Sequence, residues 1–183
     1  MERLPSNSLL IADPFLKDAH FQRSVILLCN HSNEGSVGFI LNRKFHMQLC
    51  DLMSGIENVN MPVYVGGPVS TDSLHFIHQY PHLIPDAEMI SEHIFWGGDF
   101  EKVKMLLNTK MLDPERIRFF IGYSGWSEGQ LEQEMQEKTW LLGEASEKIL
   151  FHTPTDQIWK ESVMTLGESY REIIHYPIDP QLN

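Results

Sequence analysis

The chain has 183 residues and carries 14 Lys plus Arg against 25 Asp plus Glu, a formal net charge of −11. That length fits one domain, residues 1–183, whose core needs neither disulfide nor metal, and no metal or cofactor is expected. The acidic balance repels phosphate backbones and anionic lipid surfaces, and the pairs Arg43-Lys44, Lys102 with Lys104, and Arg116 with Arg118 stand isolated among acids, so direct nucleic-acid binding and membrane association are disfavoured.

In chain order, Ser8–Ala12 reads as a strand, too short for a leader or a membrane span. Asp13-Pro14 opens a loop to Gln22 in which Phe15, Leu16 and Phe21 are expected to tuck inward. Ser24–His31 and Ser36–Asn42 are apolar runs around Ser32-Asn33-Glu34-Gly35, the pattern of a hairpin. Cys29 lies inside the first run and reads as a small buried apolar residue; Cys50 is far away in sequence, with no metal-ligand spacing, which suits a reducing cytoplasm. Leu49–Met53 reads as a short helix, Asn58–Pro62 as a loop, Val63–Val65 as a strand stopping at Gly66-Gly67-Pro68, and Leu74–Gln79 as a strand.

Glu88–Trp96 is expected to form one strand, halted by Gly97-Gly98. Asp99 then caps a helix carrying Phe100, Val103, Leu106 and Leu107 at helical spacing. Ile117–Ile121 reads as a strand covered on both faces. Gly122 and Gly125 bracket Tyr123 and Ser124 at an expected turn. Ser127 and Gln130 have the spacing of a capping box, and Trp126 and Leu131 stand at staple positions. Trp140–Leu142 and Lys148–Phe151 read as short strands. Thr155-Asp156 precedes a last helix with Ile158, Trp159, Val163 and Leu166 inward, and residues 170–183 form an irregular tail. Strands and helices follow one another without a βαβ rhythm, which favours α+β over a doubly wound sheet.

Four stretches occur in a fixed order: Asp13-Pro14-x-x-x-Asp18-x-x-Phe21-x-Arg23-Ser24-Val25, Gly35-Ser36-Val37-Gly38-x-Ile40-x-Asn42, Val65-Gly66-Gly67-Pro68-Val69, and Gly122-Tyr123-Ser124-Gly125-Trp126-x-x-Gly129-Gln130-Leu131. From about Leu9 to Gly167 the chain resembles the bacterial AlgH/YqgE family. It departs from that pattern around Glu92–Leu107 and at its end, Tyr176-Pro177-Ile178-Asp179-Pro180. The resemblance implies an α+β fold with a strongly bent mixed sheet curling toward a partial barrel, flanked by three or four helices. It also implies a bacterial cytosolic protein. It transfers no catalytic residue, and the regulator label borne by some members supplies no DNA-reading element.

Three functional readings follow. The first is a non-catalytic interaction or regulatory module that binds a protein or small ligand at Tyr123, Ser124 and Trp126, where aromatics beside glycines combine shape with a polar handle. The second is a small serine hydrolase with Ser124 as nucleophile. Gly122-x-Ser124 begins the hydrolase elbow, but Trp126 replaces its second glycine. The third is a DNA-binding regulator, which the charge opposes. Gly66 and Gly67, like Gly97 and Gly98, could form a backbone nest for an anion, although tight packing explains both pairs as well. His75, His78 and His82 would converge on a metal only from a helix. A strand puts His75 and His78 on opposite faces. Arg23 is expected to pin the early loop with Asp13 or Asp18, and Asn42 to bond backbone at a strand end.

Overall fold

The computed structural model describes residues 4–56 and 59–176. Ten strands, β1 Ser8–Ala12, β2 Val25–Ser32, β3 Gly35–Ile40, β4 Lys44–Gln48, β5 Pro62–Val65, β6 Val69–His78, β7 Glu88–Ser91, β8 Ile94–Trp96, β9 Ile117–Ser127 and β10 Trp140–Glu144, form one sheet. The main path runs β10-β1-β2-β3-β9-β6-β8-β7, so the sheet ends at β10 and β7 and does not close. All these pairs are antiparallel, while β5 joins β9 in parallel and carries β4 outside it. The fold is α+β with a mixed sheet.

β9 organises this layout because it is long and apolar on both faces. On one edge β6 pairs with it from Ile117 to Tyr123. The other edge is shared: β5 takes Phe119–Ile121, and β3 takes Ser124–Ser127. Alternation along the strands then divides the core. Leu9, Ile11, Leu27, Phe39 and Phe120 face a cluster covered by α4 (Ile158–Thr165). On the opposite face, Phe76, Phe119 and Ile121 pack with α1 (Leu49–Leu52) and α2 (Phe100–Asn108), while Leu10, Ile26, Ile40 and Trp126 pack with Leu131 of α3 (Gln130–Gln136).

Several local expectations hold. The Asp99 carboxylate accepts the Lys102 N–H at 3.1 Å and caps α2. Asn42 accepts the Val25 N–H at 3.0 Å and donates to the Arg23 carbonyl at 2.7 Å. His75 rests among Phe39, Trp96 and Tyr123, and His78 beside Phe95, on opposite faces of β6.

Others are corrected. Glu88–Trp96 is a hairpin whose turn holds the exposed pair Glu92-His93. Lys148–Phe151 is a π-helical turn, Lys148–His152, that drops Ile149 and Leu150 into the core. A short apolar run satisfies either geometry, and here no strand recruits it. The strand over Ile117–Ile121 does not turn at Gly122, because β3 supplies a ladder that carries it on to Ser127; Gly122, at φ +66°, bends the strand in passing. The capping box is half formed: Gln130 accepts the Ser127 N–H at 3.0 Å, but Gly129 is the cap residue. Phe15 is 56% exposed, its ring meeting Tyr176 at 5.1 Å. Arg23 is attracted by Asp13 as expected, and it also stacks over Trp159 at 4.0 Å and donates to the Tyr176 carbonyl. Within the expected tail, Glu168–His175 is a 3₁₀ helix, and the rest beyond Tyr176 lies outside the described residues, as does Asn58 of the expected loop.

Candidate functional site at the end of β9

The segment Gly66-Gly67 crosses over β9 at its bend. The Gly66 N–H donates to the Ile121 carbonyl at 2.8 Å, and the Gly66 carbonyl accepts the Ile40 N–H at 2.9 Å and the Ser124 hydroxyl at 3.0 Å. The backbones touch. A Cβ on Gly66 would lie 2.3 Å from the Gly122 oxygen, and one on Gly67 would lie 2.2 Å from the Tyr123 carbonyl. Only glycine permits this approach.

Ser124 therefore sits at 0% exposure with its hydroxyl donated to a carbonyl. A nucleophile needs a base within hydrogen-bond reach and a path for substrate, and among the described residues Ser124 has neither. Trp126, two residues on, points to the same face. Its indole is buried under α3 and donates to Glu134 Oε2 at 2.9 Å, and the Trp140 indole donates to the same oxygen at 2.7 Å. Trp126 and Leu131 do pack together, as the staple spacing implies.

Tyr123 alone of this trio is only partly buried, at the margin of the cluster under α4. Its half-buried ring lies across Gly125, where a Cβ would come within 3.1 Å of it, and meets His75 edge-on at 5.9 Å. Burial pulls the His75 pKa down and so favours the neutral ring. In front of Tyr123 lies a shallow depression of about 520 Å³, floored by Asn30, Val37, Val69 and Gly125 and rimmed by Ser32 and Glu34 of the hairpin tip.

Two further constellations escape sequence reasoning. His31 and Ser36 are register partners on β2 and β3; Ser36 Oγ meets His31 Nδ1 at 2.8 Å, and His31 Nε2 lies 3.6 Å from Glu132 Oε1. The connectivity is that of a Ser–His–acid relay, but both side chains are buried on the Trp126 face, where they pin α3 to the sheet. Only the register of the hairpin could have signalled this. Arg118, 6% exposed, lies 3.8 Å from the Tyr64 ring and donates to the carbonyls of Leu150 at 2.6 Å and Leu41 at 2.7 Å. It ties the π-turn to β9, and burial lowers its pKa to about 10.

The family pattern described as AlgH-like matches residues 9–171. The chain belongs to this AlgH-like family. It is similar to UPF0301 proteins of known sequence. That of Chlorobium phaeobacteroides is 41% identical, covering 100% of this chain and 97% of the relative. That of Cytophaga hutchinsonii is 35% identical, covering 98% and 100%. Among solved structures, the AlgH-like fold is matched by a Corynebacterium diphtheriae protein (TM-score 0.77, 20% identity, 96% and 95% coverage). It is also matched by the AlgH protein from Pseudomonas aeruginosa (TM-score 0.74, 23% identity, 97% and 98% coverage). At these identities the structural matches speak to the fold.

Proposed function

We propose that the protein is a non-catalytic interaction module of the bacterial cytosol, and that the depression in front of Tyr123 receives a short basic segment of a protein partner. The observation that carries this reading is the depression itself: a half-exposed tyrosine across a glycine, an exposed Val69, and Glu34 on the rim. A cation over the tyrosine face gains about 0.5–1 kcal/mol at an exposed site. Glu34 and the net charge of −11 add attraction of the same sign. The concavity suits a sheet bent toward a partial barrel, a reading supported by Ile90 and Ile94 of the β7–β8 hairpin packing in one cluster with Leu27 and Cys29. The two free cysteines, Cys29 and Cys50, suit a reducing cytosol. No helix among the described residues is long and apolar enough to cross a membrane.

The test is an NMR titration with two otherwise identical peptides, one bearing lysines and the other glutamates. The lysine peptide is expected to shift the Gly125 and Ser127 amides saturably, and Tyr123→Ala to weaken binding by about two- to fivefold with the spectrum otherwise folded. Equal response to both peptides, or undiminished binding by Tyr123→Ala, sinks the proposal.

A further inference from the structure

Four of the surface depressions carry a carboxylate: Glu34 beside Tyr123, Glu144 beside β10, Glu115 beside Arg118, and Asp156 beside His152. A fifth, of about 390 Å³, carries none. Its polar lining is Arg43, His20 and Thr71, with the backbone of Gly67 between them and Ile40 and Val65 as apolar walls. In a chain with a net charge of −11, this depression is lined by a guanidinium and by no acid, with Asp18 and Asp72 adjoining its lining in sequence.

Arg43 is held firmly there. Its carbonyl accepts the Val65 N–H at 2.8 Å, one terminal nitrogen donates to the Gln22 carbonyl at 2.8 Å, and the preceding Asn42 is bonded at both ends of its amide. Only one of its two terminal nitrogens makes a hydrogen bond among the described residues, and its Nε is buried, so the second terminal nitrogen is the donor left to face the depression. Asp18, two residues before His20, spends Oδ1 on the N–H groups of His20 at 2.8 Å and Phe21 at 3.2 Å. Donors thus reach the depression from three separate segments: the 18–22 turn, the β3–β4 connection and the start of β6.

We propose that this depression binds the phosphoryl group of a small anionic ligand, with Arg43 as its principal partner and His20 and Thr71 as further donors. Donors on separate segments surround a tetrahedral oxyanion better than a planar carboxylate, and the second terminal nitrogen of Arg43 adds a charge-assisted bond. The apolar walls favour a compact metabolite carrying the phosphoryl group.

The experiment titrates the isotope-labelled full chain with inorganic phosphate, with acetate, and with chloride at matched ionic strength. Phosphate is expected to shift the Arg43 Nε–H and the Gly67 and Thr71 amides saturably. Acetate should bind more weakly, and chloride should not reproduce the effect. Arg43→Gln is expected to weaken phosphate binding about ten- to hundredfold, the scale of one charge-assisted bond. Should that variant fail to fold, His20→Ala, which alters an exposed side chain, carries the same test with a smaller weakening. Shifts that chloride reproduces, shifts centred elsewhere, or affinity unchanged in the folded variants overturn the proposal.

Discussion

Two glycine pairs end strands in this chain, Gly66-Gly67 before β6 and Gly97-Gly98 before α2, and they are held by different forces. At the first, backbone lies on backbone: added Cβ atoms would meet main-chain atoms at 2.2–2.4 Å, and no side chain can yield. At the second, Gly97 at φ +70° faces open space, while a Cβ on Gly98 would meet Ile84 Cγ2 at 2.6 Å and the Pro85 oxygen at 2.7 Å. The second pair is held by a main-chain bond, Gly97 N–H to the Phe76 carbonyl at 2.9 Å, and by a side chain. His78 Nδ1 accepts the Tyr80 N–H at 3.0 Å, so the proton sits on Nε2, which donates to the Gly97 carbonyl at 3.0 Å. Identical dipeptides thus mark one junction built on close main-chain contact and one that adds a titratable ring to its main-chain bond.

The contrast predicts a ladder of effects. Gly67→Ala should cost about 3 kcal/mol or more, since overpacking against backbone cannot relax, and urea denaturation would show it. Gly98→Ala should cost about 1–3 kcal/mol: rotation of Ile84 relieves one clash, but the Pro85 oxygen cannot yield and φ +117° strains alanine. Ser124→Ala should cost about 1 kcal/mol, because the Gly66 carbonyl keeps its bond from Ile40, and peptide binding at Tyr123 should be unaffected. Gly97→Asn should cost least, within about 0.5 kcal/mol, as asparagine tolerates a left-handed backbone in open space. A Gly67→Ala variant as stable as wild type would break the comparison outright.

Acid should separate the junctions too. Burial pulls the His78 pKa down, and the Gly97 bond opposes this only in part. The unfolded imidazole, near about 6.5, then takes up its proton first as pH falls. The stabilisation is whole above about pH 6.5 and is lost as the pH drops from there toward the lower folded value. Urea midpoints measured across that window should fall for wild type and fall less steeply for His78→Gln. Amide protection should weaken at Gly98 before Gly66. His75, shifted in the same direction, leaves a residual slope in the variant.

Features set by near neighbours were legible in the sequence: Ser8–Ala12, the hairpin turn at Ser32–Gly35, the Asp99 cap and the four inward positions of α2. Features set by distant pairing were not. The apparent turn at Gly122–Gly125 is strand because β3 lies beside it, and the π-turn is not strand because no edge receives it. The candidate site divides the same way. Tyr123, Gly66 and Gly67 were singled out from their types, but which face each residue takes depends on the register of β9 and on α3 covering Trp126. Asn30, Val37 and Val69 meet Tyr123 only in three dimensions.

The pairing of β1 with β10 has a consequence for the making of the protein. Ser8–Ala12 bonds along its length to Trp140–Glu144, and the Trp159 indole closes on the Ala12 carbonyl at 2.9 Å. Nascent chain leaving the ribosome can therefore assemble β1, β2 and β3, but one edge of β1 stays bare until nearly all of the polypeptide has been synthesised. Contacts of such long sequence separation slow folding and prolong the exposure of an apolar edge.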